Sequence, residues 1–307
     1  MNIIVTGGAG FIGSHLVDRL IQLGHTVLVI DNLVSGCREF VNDRATFEKI
    51  DIRDTHLVHI FKEFQPEYVF HEAAQTMVDV SMEQPAYDCD VNLMGLLNIL
   101  EACRICKVKK ILMPSSAAVY GDNSELPLCE TSVGIPSSFY GLSKLTSESY
   151  LRLYYESFGL PYICYRYSNV YGPRQGNGGE GGVVSIFGQR VVKEESITVF
   201  GDGEQTRDFI YVGDVVEANI AGLQHTEKVG IYNVSTNSSL SVNQLIDAFR
   251  SVAHRPIEVM YADPRQGDIR HSRLDNHKIQ RELNFTPHMS FIDGLTSTYD
   301  YFKSVNK

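Results

Sequence analysis

Thr6-Gly7-Gly8-Ala9-Gly10-Phe11-Ile12-Gly13 constrains this chain more than any other segment. It follows a short β-branched run, Ile3-Ile4-Val5, and opens an amphipathic stretch over 13–23 that reads as a helix. Glycines at 7, 10 and 13 give a G-x-x-G-x-x-G spacing. Glycine permits a tight turn and close backbone approach, and the helix N-terminus presents free N–H groups to a pyrophosphate. A glycine motif alone is weak evidence; between a strand and a helix it points to a dinucleotide. Asp31 stands 18 residues after Gly13, at the end of the next apolar run. A carboxylate there accepts hydrogen bonds from adenosine ribose hydroxyls and repels a 2′-phosphate, which favours NAD over NADP. Asp51 and Ile52 follow the third run and would edge the adenine; Asp51 also reads as a cap on the next helix.

The rest of the first half alternates in the same way. Strand patterns fall at 3–5, 27–30, 46–49, 68–71, 110–114 and 162–167, with helical patterns at 13–23, 57–64, 87–106 and 140–158. This order predicts βαβ units and an α/β fold with a doubly wound, mostly parallel sheet. Near-continuous apolar strands such as Val27-Leu28-Val29-Ile30 fit burial on both faces. A glycine-rich stretch from Gly172 to Gly182 marks a border. The expectation is a dinucleotide domain over 1–171 and a smaller α/β substrate-binding domain over 172–307, with some elements exchanged. In the second part, strand patterns fall at 197–200, 209–212 and 232–234, and a helical one at 242–252.

Composition narrows the partners. The 307 residues carry 37 acidic and 27 basic side chains, a net charge of −10. That disfavours nucleic acid and anionic membranes, which attract a surplus of Lys and Arg. No apolar run approaches a membrane span, and the first strand begins too early for a signal peptide. Cys103 and Cys106 lie inside a helical pattern without a second ligand pair, so no metal is expected. The six cysteines read as free thiols in a reducing cytoplasm.

Tyr140 and Lys144 stand one helical turn apart, and Ser115-Ser116 follows the strand pattern at 110–114. A parallel sheet places its ligand crevice at such strand ends. With these blocks in order, the chain resembles the extended short-chain dehydrogenase/reductases and, within them, the UDP-glucose 4-epimerases. The resemblance runs from Thr6–His15 to Arg265-Gln266-Gly267-Asp268. Between them stand His71-Glu72-Ala73-Ala74-Gln75, Ser115–Gly121, Arg166–Arg174 and Thr206–Val215. One departure is Glu72, where the family usually has an apolar residue beside the cofactor.

The resemblance implies a Rossmann fold holding a tightly bound NAD that is regenerated in each turnover. Gly7, Gly10, Phe11, Ile12, Gly13, Asp31, Asn32, Ser35 and Gly36 would line it. So would Asp51, Ile52, Ala73, Ala74, Gln75, Asn92, Tyr140, Lys144 and Tyr167. Tyr140 would take the proton from a sugar 4-hydroxyl as C4 gives up hydride, with Ser116 bonded to the same oxygen. A free phenol has a pKa near 10, and bringing it to about 7 takes ~4 kcal/mol of phenolate stabilisation. Lys144 and the positive nicotinamide are the expected sources. The substrate would be held by Ser116, Tyr140, Asn169, Arg207, Arg265, Asp268 and Ser272, the arginines on phosphate and Asp268 on ribose. By themselves, Arg207 beside Asp208 also reads as a surface ion pair and Asn169 as a turn residue.

Sugar 4,6-dehydratases of this scaffold carry Asp-Glu after the strand-end hydroxyl; here Ala117-Ala118 favours C4 epimerisation of a UDP-hexose. Ser272, at a position where some members have a bulky tyrosine, leaves room for an N-acetyl group. Other readings are a UDP-glucuronate 4-epimerase, a dehydratase or dehydrogenase on the same scaffold, and a non-catalytic NAD-binding sensor. The last would be expected to lack Ser116, Tyr140 or Lys144. A cytoplasmic homodimer paired through the 87–106 and 140–158 helices completes the expectation.

Overall fold

The computed structural model describes residues 1–176, 181–264 and 269–306. The chain starts with β1 (Asn2–Thr6), β2 (Thr26–Asp31), β3 (Thr46–Lys49), β4 (Tyr68–His71), β5 (Lys110–Ser116) and β6 (Tyr162–Tyr167). Then come β7 (Asn169–Tyr171), β8 (Ile197–Phe200), β9 (Thr206–Arg207), β10 (Phe209–Tyr211), β11 (Gly230–Val234), β12 (Leu240–Ser241) and β13 (Val259–Ala262). β11 returns to pair with β6, completing a seven-stranded sheet in the order β11-β6-β5-β4-β1-β2-β3. Every pairing in it is parallel. The fold is a doubly wound α/β sheet.

Period-two alternation decides which helices cover which face. Ile3, Val5, Val27, Val29 and Phe70 point into one apolar cluster. It is closed by Leu16, Val17 and Leu20 of α1 (Phe11–Gln22) and, later in the chain, by Val215, Ile220 and Leu223 of the 212–224 helix. Ile4, Leu28, Ile30, Val69 and Ile111 point into the other. There they meet α2 (Leu57–Phe64) through Leu57 and Phe61.

The helical pattern over 87–106 is not one straight α-helix. After α3 (Val78–Glu83), the chain forms α4 (Pro85–Cys89), a π-helical turn (Asp90–Met94) and α5 (Gly95–Ile105). Gly95 faces Ile52, whose side chain fills the space a Cβ would need. The 140–158 pattern is the long helix α6 (Phe139–Phe158), capped by the Ser138 hydroxyl on the Gly141 amide at 3.1 Å. Further on lie α7 (Val183–Val192), α8 (Val212–Gln224), α9 (Val242–Ala253), α10 (His277–Leu283) and α11 (Phe291–Val305). Side chains of α7, α9 and α11 form a third cluster around Phe187, Leu245, Phe249 and Leu295. β11 and α8, although late in the chain, belong to the main sheet and its first cluster. Three two-stranded ribbons, β7 with β10, β9 with β12 and β8 with β13, complete the second part of the chain.

Strand order reverses between β1 and β4, so the loops leaving these two strands diverge at their C-terminal ends. The phosphate-type turn and the Glu72–Ala74 segment flank the resulting crevice.

Candidate functional site

The glycine turn is built for close approach. Gly7 has φ +70°, and a Cβ there would stand 2.5 Å from the Ala73 backbone nitrogen. A Cβ on Gly13 would stand 2.2 Å from the Gly7 carbonyl oxygen. Gly10 begins α1 and no side chain caps the first turn, so its amides remain for a ligand's oxygens. Asp31 is buried and accepts hydrogen bonds from the Ala9 amide at 3.0 Å and the Leu33 amide at 2.8 Å. Burial raises the pKa of this carboxyl and the two amides oppose the rise. Asp31 therefore braces the turn and still has lone pairs for ribose hydroxyls. Gly36 packs so closely that a Cβ would stand 2.9 Å from an Asp31 oxygen, and Ser35 precedes it in the same half-buried loop. These features fit the diphosphate and ribose of NAD.

Asn32 donates to Asp51 at 2.8 Å, and Arg53 pairs with the same carboxylate at 2.8 Å. The Arg53 hydrogen bonds hold the Asp51 carboxyl well below the usual carboxylate range. Ile52 is buried against α5. Phe11 and Ile12 occupy the first turn of α1, where the Phe11 ring lies beside Gly172.

The expected reacting groups converge at the C-terminal end of β5. The Ser116 hydroxyl accepts from the Ala118 amide at 3.2 Å and is hydrogen-bonded to the Tyr140 hydroxyl. Gly141 permits this meeting, because a Cβ there would stand 2.6 Å from the Ala118 carbonyl oxygen. The Lys144 Nζ lies 5.9 Å from the Tyr140 ring centroid and donates to the Pro114 carbonyl at 3.0 Å. Burial pushes the Tyr140 phenol up from its ordinary value, against the Ser116 hydrogen bond, and pulls the Lys144 ammonium down. Burial by itself thus favours the neutral phenol of Tyr140.

Gln75 and Asn92 fasten this platform. The Gln75 amide N–H donates to the Asn92 Oδ1 at 2.9 Å, and the Asn92 Nδ2 donates to the Gln75 carbonyl at 3.0 Å and to the Ser143 hydroxyl at 3.2 Å. Asn92 comes from the π-helical turn, which links the loop after β4 to α6. Ala73 and Ala74 line that loop, half-buried. Tyr167 is buried in the first cluster, its hydroxyl accepting from the Asn219 Nδ2 at 2.6 Å.

Two positioning residues and one buried acid escaped the sequence reading. Glu148 accepts two hydrogen bonds from Arg166, at 2.9 and 2.7 Å, and one from Ser115 at 2.6 Å. Glu148 lies one turn beyond Lys144 and Arg166 lies on β6, so this buried pair ties α6 to the sheet directly behind Ser116. The spacing of Lys144 and Glu148 was visible, but nothing in the sequence pairs Glu148 with Arg166. Asp88 accepts from Gln75 at 2.8 Å and from Asn92 at 3.1 Å.

On the substrate side, Asn169 begins β7 and its amide donates to the Asp208 carbonyl at 2.8 Å. It is therefore a strand residue. Arg207 is half-buried on β9, its guanidinium donating to the Thr206 carbonyl at 2.9 Å. Asp208 is fully buried and accepts from Thr236 at 2.8 and 3.0 Å, which removes the reading of a surface ion pair. The Ser272 amide donates to the Thr206 carbonyl at 3.2 Å, placing Ser272 beside Arg207. Arg265 and Asp268 lie outside the described residues.

Comparison with known proteins agrees with this geometry. Residues 3–235 match the model of the NAD dependent epimerase/dehydratase family. A UDP-glucose 4-epimerase of Thermotoga maritima, solved with UDP-glucose, is 43% identical with a TM-score of 0.96, and all of both chains is covered. That of Thermus thermophilus, solved with NAD, is 42% identical over 99% of each chain, with a TM-score of 0.93. A UDP-N-acetylglucosamine 4-epimerase of Methanobrevibacter ruminantium, in complex with UDP-N-acetylmuramic acid, is 39% identical over 99% and 98%, with a TM-score of 0.94. The uncapped glycine turn, the buried Asp31 and the Ser116–Tyr140–Lys144 cluster thus stand in a chain that belongs to the NAD dependent epimerase/dehydratase family.

Proposed function

We propose that this protein is an NAD-dependent isomerase that epimerises UDP-hexoses at C4 through a 4-keto sugar. The observation that carries this reading is the convergence of Ser116, Tyr140 and Lys144 at the C-terminal end of β5, two strands along the parallel sheet from β1 and its glycine turn. Bound NAD supplies the hydride acceptor and donor. Tyr140, as the phenolate that the Lys144 ammonium and the nicotinamide charge would stabilise, would take the 4-hydroxyl proton as C4 loses hydride, while Ser116 would hold the same oxygen. When hydride returns to the opposite face of C4, Tyr140 gives the proton back.

Arg207, Asn169 and Ser272 are the described residues assigned to the nucleotide-sugar side, and Arg265 and Asp268, outside the described residues, are assigned to it by the family resemblance. Arg207 and Arg265 would neutralise the diphosphate, Asp268 would hold the ribose, and Ser272 would leave room for a 2-N-acetyl group. The division between cofactor and substrate regions lies near 172, with β11 and α8 exchanged into the first. Two copies pair through α5 and α6, where Ile105 of α5 and Leu142, Leu153 and Phe158 of α6 are exposed by 45%, 50%, 47% and 56%. Six cysteines outside any disulfide suit a cytoplasmic location.

The test is a panel of UDP-glucose, UDP-galactose, UDP-N-acetylglucosamine and UDP-glucuronate, with products separated chromatographically. Interconversion of the first two, with the N-acetyl sugar also accepted, is the expected result. Turnover of UDP-glucuronate alone would replace this reading with a uronate epimerase, and accumulation of reduced nicotinamide during turnover would replace it with a dehydrogenase.

A further inference from the structure

Glu72 is a half-buried acid in the loop after β4, beside the glycine turn, for which the chemistry above has no use. Its backbone amide donates to the Thr6 carbonyl at 3.0 Å, which fixes it directly beside the glycine turn. A Cβ on Gly7 would stand 2.7 Å from its carbonyl carbon. One carboxylate oxygen, Oε1, is buried and has no hydrogen-bond partner among the described residues. Such an oxygen needs a compensating charge or donor. Lys144 is near enough for its charge to act on Glu72.

A dinucleotide whose diphosphate sits on the Gly7–Gly13 turn must run its nicotinamide half past Glu72 to reach Tyr140. That half changes charge during the reaction: the ring is positive when oxidised and neutral when reduced. A carboxylate fixed beside its path attracts only the oxidised form. We propose that Glu72 is a positioning residue that sets the redox balance of the bound nicotinamide, its carboxylate favouring the oxidised ring. This discourages the enzyme from being left in the reduced state if a keto sugar escapes.

The carboxyl is poised for the role. Burial raises it to about 7, with the Lys144 ammonium opposing the rise. The titratable groups that share its surroundings are Lys144 on α6 and Tyr165 and Tyr167 on β6; both phenols are held far above neutrality by burial. Reduction of the ring should therefore raise the Glu72 pKa further and draw in a proton near neutral pH.

The proposal rests on NAD occupying this crevice, which nicotinamide content of the purified protein checks separately. The experiment equilibrates holoenzyme with a soluble redox couple and reads the midpoint potential of the bound nicotinamide, across pH 6 to 9. For Glu72→Gln and Glu72→Leu, a rise of about 30 mV above pH 8 is expected, equal to a tenfold shift in the oxidised-to-reduced ratio, with the difference fading towards pH 6. In the wild type alone, the midpoint should fall more steeply with pH near neutrality than that of free NAD, because an additional proton accompanies reduction. If either variant fails to retain cofactor, this slope decides. A slope equal to that of free NAD, or variants whose midpoint is unchanged or shifted equally at every pH, would overturn the proposal.

Discussion

Burial raises the Tyr140 phenol against its bond to Ser116, so the phenolate that the proposed reaction needs is disfavoured by the protein interior alone. Its hydroxyl is therefore a proton carrier only when positive charge is brought beside it. Replacing Tyr140 by Phe removes the carrier and little else, since the ring stays in place. The expected result is a kcat lower by about 10²–10⁴-fold with nicotinamide retained, checked by initial rates and by cofactor content. Retention of full activity would exclude Tyr140 as the base. His71 and Glu72 make a second residue-scale prediction. Burial holds His71 at about 3, below its ordinary 6.5, so acid favours the unfolded chain from pH 6.5 downward. Glu72 is raised from 4.5 to about 7, so between pH 7 and 4.5 acid favours the native state. The two slopes, each up to about 1.4 kcal/mol per pH unit, oppose one another down to pH 4.5, below which only the His71 loss remains. In Glu72→Gln the loss should start near pH 6.5, measurable as urea midpoints across pH. Identical pH profiles for the two proteins would refute the assignment.

The strand–turn–helix around Gly7–Gly13 was legible because glycine is the one residue that satisfies its contacts. Gly13→Ala puts a methyl 2.2 Å from the Gly7 carbonyl and forces the turn off α1. A stability loss of about 1–3 kcal/mol and cofactor shed on gel filtration are expected, read by thermal melting and nicotinamide absorbance. Unchanged cofactor content would show that the turn does not hold the dinucleotide. The 87–106 pattern was only partly legible. Its apolar period is continuous, yet the π-helical turn at Asp90–Met94 interrupts it to present Asn92 to Gln75 and Ser143. One extra residue in a turn hardly alters periodicity, so a π-helical turn leaves no pattern to read. The Glu148–Arg166 pair was invisible for a different reason: its partners belong to different elements, brought together only when α6 docks on β6.

Across the whole molecule, a net charge of −10 must accommodate an anionic cofactor and an anionic sugar nucleotide. On the proposed function, binding would rest on short-range donors, namely the amides of the glycine turn and the proposed arginines, while the overall field repels. The exposed apolar residues of α5 and α6 are the molecule's other unbalanced feature. Leu153→Glu on that face should convert a dimer to a monomer in sedimentation equilibrium with the fold intact by circular dichroism. A wild type that sediments as a monomer would remove the dimer from the proposal. By itself the sequence determined the alternation of elements, the parallel sheet, the phosphate turn and the Ser116, Tyr140 and Lys144 candidates. These depend on local periodicity, on glycine and on fixed spacing, all carried by neighbouring residues. Tertiary structure alone decided that β11 and α8 return to the first sheet, that Asp208 is buried, and that Arg166 locks Glu148. It also decided that Glu72 stands beside the glycine turn with one buried oxygen lacking a hydrogen-bond partner among the described residues, because burial and pairing across distant strands belong to the folded chain.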